Sequence, residues 1–136
     1  MSHTQAQFQR SKLALTLKKQ ELGRRGEDLA LAAVEELGYE LVERNFRCNF
    51  GEVDLIARDG DTLVFIEVKT RRGKRPAIAK EAVGPRKRRQ LSKVALYYMK
   101  SEGYLKQRAR FDVVAVGLDS GQARVEVVKD AFELSF

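Results

Sequence analysis

A chain of 136 residues, 43% hydrophobic and 33% charged, can build one core and is too short for two domains of ordinary size. Its 26 Lys and Arg against 19 Asp and Glu leave a net charge of +7, which favours a polyanionic partner such as nucleic acid. A single cysteine, Cys48, and a single histidine, His3, exclude an internal disulfide, a Cys-rich zinc site, HExxH chemistry and a Ser-His-Asp triad, so any catalysis must rest on carboxylates and lysine.

Residues 1–22 are polar and basic with scattered leucines, and read as an N-terminal arm or helix ahead of one α/β domain over 23–136. From Gly23 the pattern sharpens. Gly26, Leu29, Ala30, Ala33, Val34 and Leu37 recur at three- and four-residue steps, and Gly38 follows as a helix C-cap would. The longest apolar run, Leu29 to Val34, is far too short to cross a membrane, and no apolar leader opens the chain, so a cytoplasmic protein is expected.

Three segments rich in branched and aromatic residues follow, at 39–47, 53–58 and 62–69, and predict an antiparallel meander. A basic loop over 70–83 then leads to Gly84-Pro85, which opens a second helix with an apolar stripe of Leu91, Val94, Ala95 and Tyr98. Phe111–Val116 and Val125–Val128, separated by Asp119-Ser120-Gly121-Gln122, close the chain as a strand pair. The second helix supplies the crossover that a parallel strand needs, so the expected sheet is mixed.

Strand 62–69 is apolar on both faces, as a central strand is, until Glu67 and Lys69 interrupt it. An ionised carboxylate there is costly unless it is paired or binds a metal. With Asp59-Gly60 as the hairpin loop, Asp54 faces Phe65 and Glu52 faces Glu67, so Glu52, Asp54, Glu67 and Lys69 share one side of the hairpin. Two carboxylates that close repel, and a divalent cation would hold both ionised; an all-oxygen donor set selects Mg2+ or Mn2+ over zinc. A plain Glu-Lys salt-bridge ladder is the competing explanation of the same spacing.

The run GEVDLIARDGDTLVFIEVKTR, 51–71, resembles the core of the PD-(D/E)xK nuclease superfamily. With GRRGEDLA before it and RFDVVAV after it, the chain closely resembles the YraN-like family, similar in fold to archaeal Holliday junction resolvases. The resemblance spans residues 23 to about 117. It implies a restriction-endonuclease-like mixed sheet flanked by helices, and a Mg2+- or Mn2+-dependent DNA endonuclease acting on branched or structured DNA. Asp54, Glu67 and Lys69 match the motif Asp, Glu and Lys, and Glu27 matches an added carboxylate on the first helix. Metal ligands would then be Asp54, Glu67, the carbonyl of Val68, and Glu27 through water. Val53 stands where some members have proline. Glu27 also suits the dipole of a helix first turn, and Asp112, an acid within FDVVAV, is expected to cap or to pair with a nearby arginine.

Arg71, Arg72, Lys74 and Arg75 follow the motif lysine directly. Arg86, Lys87, Arg88 and Arg89 crowd the start of the second helix, where cations oppose the dipole by about 0.3–1 kcal/mol each. Together with Gln90, these flanking clusters predict a nucleic-acid groove, with DNA as the expected partner, no membrane, and a homodimer left open. A binding module that keeps the nuclease fold without turnover is the principal alternative, and a basic surface for an acidic protein is a third.

Overall fold

In the computed structural model, residues 2–72 and 83–136 are described, with side chains from residue 19 onward. Lys74 and Arg75 of the basic loop lie outside the described residues. The elements run α1 (Ser2–Glu36), β1 (Glu40–Cys48), β2 (Gly51–Asp59), β3 (Thr62–Arg72), α2 (Pro85–Ser101), β4 (Arg108–Asp119) and β5 (Gln122–Phe132). Helix, three strands, helix and two strands therefore occur in the expected order, and the basic N-terminal residues and the periodic segment from Gly23 share one helix. That helix ends where the sequence places its stop: Gly38 is left-handed at φ 97°, and the Tyr39 N–H donates to the Val34 carbonyl at 3.0 Å.

All five strands form one sheet in the order β1-β2-β3-β4-β5, with β3 in the centre. β1, β2 and β3 form the antiparallel meander, α2 carries the chain over to β4 parallel to β3, and β5 returns antiparallel. The parallel pairing lengthens β3 beyond its sequence boundary, through Thr70↔Val116, Arg71↔Gly117 and Arg72↔Leu118. Arg71 and Arg72 consequently lie on a strand and not in the basic loop, because β4 offers a ladder partner as far as Leu118.

Alternation along β3 divides the core in two. Leu63 and Phe65 pack with Leu91, Val94, Ala95 and Tyr98 of α2, the stripe read from the sequence, while Val64, Ile66 and Val68 pack with Ala30 and Val34 of α1. Each fully buried large side chain here, such as Leu55, Ile56 or Phe65, contributes about 1.5–3 kcal/mol relative to exposure. Gly26 sets how closely α1 approaches the sheet, since a Cβ at that position would collide with the Thr70 side chain. The next residue along the helix, Glu27, is thereby held at the end of the sheet where β2 begins. Among the described residues, no helix is long and apolar enough to cross a membrane.

Candidate active site

The β2–β3 hairpin turns on Gly60-Asp61, one residue later than Asp59-Gly60, with Gly60 at φ 62°. Asp59 pairs with Thr62 and Leu55 with Ile66. Carried one residue further, this register sets Asp54 opposite Glu67, where the sequence placed it opposite Phe65. A shift of two keeps the paired residues on their faces, but alternation breaks at Asp54 itself, since Val53 packs on the α2 side and Leu55 on the α1 side. Glu52 pairs instead with Arg47 on β1, and their side chains form an ion pair at 2.8 Å.

The regular β2–β3 ladder stops at Leu55↔Ile66. Just beyond it, the Asp54 carboxylate takes the place of a backbone partner, accepting the Val68 N–H at 2.7 Å. That bond fixes the carboxylate between the two strands, one residue from Glu67. Burial raises the Asp54 pKa, the Val68 N–H opposes the rise, and Glu52 adds to it.

Glu67 is buried, with 7% of its side chain exposed. Lys69 and Lys87 stand beside its Oε1 at 3.9 and 3.7 Å, near enough to attract and too far to hydrogen bond. Burial, and then the charge of Asp54, push its pKa up to about 7 despite the two ammonium groups. Lys69 keeps 38% of its side chain exposed and so borders open solvent beside these acids. Lys87, assigned from sequence to phosphate contacts, faces Glu67 as well, because the first turn of α2 overlies the end of β3.

Glu27 joins them from α1. Its Oε1 is buried and has no hydrogen-bond partner among the described residues, and burial followed by the charge of Asp54 raises its pKa. Asp54 thus stands within electrostatic reach of both Glu67 and Glu27 where the β2–β3 ladder stops, and its charge raises the pKa of each. Among the described residues no three His, Cys, Asp or Glu side chains close around a single point as a finished metal cage. The donor chemistry nevertheless fits a hard cation bound by few protein ligands: oxygen only, partly buried, and carrying an unpartnered carboxylate oxygen.

The remaining sequence-predicted residues divide. Arg86, Arg89 and Gln90 line a groove of about 590 Å3 with Asn49, Phe50 and Lys93. Gln90 packs on Gly51, where a Cβ would strike its amide. Arg88 does not belong to that face. Its Nε donates to the Val83 carbonyl at 2.8 Å and its guanidinium lies 5.5 Å from the Phe132 ring, so it ties down the start of α2. Arg72 lines a separate groove with Arg25 near the β4–β5 turn, while Arg71 is exposed on β3. Asn45, which the sequence did not single out, has φ 53° in β1 and lines a groove with Glu27, Arg24, Arg44 and Arg47. An asparagine inside a strand, a residue type that tolerates a left-handed backbone, was the signal available for it.

Fold and site together define an α/β protein with a mixed five-stranded sheet and a carboxylate-lysine cluster at the end of its central hairpin. Residues 26–116 match the family described as "Uncharacterised protein family UPF0102". The UPF0102 protein of Syntrophus aciditrophicus is 50% identical over 114 residues, covering 84% of this chain and 90% of that one. The corresponding protein of Geobacter sulfurreducens is 53% identical over 116 residues, covering 85% and 91%, and that of Moorella thermoacetica is 43% identical over 120 residues, covering 87% and 100%. The chain belongs to the UPF0102 family.

Proposed function

We propose that this protein is a metal-dependent endonuclease that hydrolyses phosphodiester bonds in DNA of branched or otherwise structured form. The observation that carries this reading is the under-compensated carboxylate group. Asp54 is pinned between parting strands by the Val68 N–H, Glu67 is buried without a hydrogen-bonded cation, and Glu27 is left with an orphaned oxygen. A structural ion pair would not leave three acids short of positive charge.

Asp54, Glu67 and the Val68 carbonyl would hold Mg2+ or Mn2+, with Glu27 reaching it through water; when bound, the cation lowers the pKa of water and draws charge from a phosphate. The protein's own residues do the rest. Lys69, projecting from the same strand face as Glu67, keeps an ammonium group at the mouth of the cluster, where it orients the attacking water and stabilises charge growing on the phosphate. Lys87 adds a second positive charge from α2. Arg86 and Arg89 hold neighbouring phosphates along the groove, without reading bases.

One observation favours a second reading. Glu67 lies near two lysines whose charges partly offset its own, which suits a nucleic-acid-binding module that retains the nuclease fold and turns nothing over. A cleavage screen over linear, nicked, flapped and four-way DNA with Mg2+ or Mn2+ separates the two. The enzyme reading expects cleavage of at least one branched form by wild type and none by Asp54→Asn. Wild-type protein that binds these DNAs and cuts none with either metal selects the binding module.

A further inference from the structure

Phe50 is out of place for a core residue. It sits at the β1–β2 turn with 48% of its surface exposed, where turns ordinarily carry small or polar residues. The ring is braced nonetheless. It meets Tyr97 edge-on at 6.1 Å; Tyr97 lies 6.4 Å from Phe46, and Phe46 packs at 5.1 Å on the buried Tyr98. Four rings therefore run from the α2 core out to solvent, and the outermost keeps a free surface.

Arg86, Arg89 and Lys93 line the same groove as that ring, with Asn49 and Gln90 between them and no carboxylate in the lining. Among the described residues these three cations form no ion pair. The groove lies on the chain close to the acidic cluster: Phe50 is followed by Gly51, on which Gln90 rests, and precedes Asp54 by four residues, about 13 Å of extended strand. A row of cations along a braced, exposed ring is the combination that holds a single strand of nucleic acid: phosphates on the charges, a base on the ring. An apolar protein partner would not need the three cations, and an intact duplex keeps its bases stacked inside, out of the ring's reach.

We infer that Phe50 is a stacking platform for an unpaired base beside the scissile phosphodiester, its strand held by Arg86, Arg89 and Lys93. The substrate therefore carries single-stranded nucleotides next to the cut. This deepens the nuclease reading and rests on it for the position of the cut, but the base contact is testable without metal or turnover.

The chain contains no tryptophan, so Phe50→Trp installs a single reporter at the ring. In EDTA, a single-stranded oligonucleotide should quench that fluorescence by stacking, and a blunt duplex of the same sequence should not. In parallel, Phe50→Leu should weaken single-strand binding about tenfold by anisotropy, a loss within the range of one base stack, and leave blunt-duplex binding unchanged. Equal quenching by both forms, or a Phe50→Leu variant that binds single strands as wild type does, overturns the inference while leaving the metal site intact. A dimer that Phe50→Leu converts to monomer, with single-strand affinity unchanged, overturns it in favour of a second copy seated on the ring. Inert cleavage in an otherwise quenching protein would count against the nuclease reading alone.

Discussion

Two buried carboxylates on adjacent rungs of the β3–β4 ladder, Asp112 opposite Ile66 and Glu67 opposite Val113, are treated in opposite ways. Fully buried Asp112 accepts the Tyr39 hydroxyl at 2.6 Å, the Arg110 Nε at 3.0 Å and the Asp130 N–H at 3.0 Å. Arg110 also donates to Tyr39 and to Asp59, each at 2.7 Å, holding Asp59 below its usual pKa. Asp130 supplies its N–H from a left-handed backbone, φ 52°, where the β4–β5 register shifts. Glu67, by contrast, has only distant lysines, at 3.7 and 3.9 Å, and Glu27 beyond it has an oxygen with no partner among the described residues. The difference separates a carboxylate satisfied by hydrogen bonds, which holds strands together, from carboxylates left short of them, which the proposed metal site would account for.

The sharpest way to break this comparison is to neutralise one acid from each group. Asp112→Ala strands the Arg110 guanidinium and the Tyr39 hydroxyl, and should lower unfolding free energy by about 3–5 kcal/mol. Asp54→Asn in metal-free protein should be neutral or stabilising, since the amide oxygen can still accept the Val68 N–H without a buried charge. Urea denaturation of both variants measures the contrast, and equal losses would mean that both groups are structural.

Lys69→Ala should reduce turnover by about 100-fold or more, the scale on which a single stabilising charge or donor acts at a transition state. Metal and DNA binding should persist, because the carboxylates and the groove are untouched. Cleavage rates measured beside manganese and DNA titrations decide this, and a variant as active as wild type removes Lys69 from the mechanism.

A smaller effect follows from Glu67. Its pKa rises on folding from an ordinary 4.5 to about 7, so between those values the native state binds the extra proton. Metal-free stability must then fall as pH rises through that interval, and level off above about 7. Glu67→Gln should flatten the slope and gain roughly 1–2 kcal/mol above the upper value, the two lysines it leaves unpaired offsetting part of the relief. Thermal or urea unfolding across this pH range shows the slope, and a rise of stability with pH over it would contradict the burial argument.

Smallest is the phosphate surface. Replacing Arg86 with alanine should reduce the salt dependence of duplex binding, log K against log salt, by about 0.9. Arg88→Ala, which removes a support on Val83 and Phe132, should cost stability and leave that slope alone. Anisotropy titrations over a range of salt distinguish them.

Much of this arrangement was legible in the sequence, for local reasons. Gly38 and Gly84-Pro85 marked helix ends, the charges in an otherwise apolar β3 marked the site, and Asp112 found the arginine expected of it in Arg110. The hairpin register was missed by two because Asp59-Gly60 and Gly60-Asp61 both suit a two-residue loop, and only the pairing with Thr62 chooses between them. Arg71 and Arg72 looked like loop because the ladder that makes them strand is supplied by β4, some 45 residues later in the chain. Arg88 could not be told from its basic neighbours, since its role depends on Phe132 at the far end of the sequence. The separation of Arg88 from Arg86 and Arg89 is a fact of helix facing and tertiary packing, which a run of four cations conceals.

The central claim is that the acids where the β2–β3 ladder stops, Asp54, Glu67 and Glu27, are held for a divalent cation, and calorimetric titration of metal-free protein with manganese tests it most directly. Wild type should give a saturable heat, Tyr39→Phe in the Asp112 network should give the same heat, and Asp54→Asn should give none. Absence of a saturable signal in wild type, or its survival in Asp54→Asn, would contradict the account.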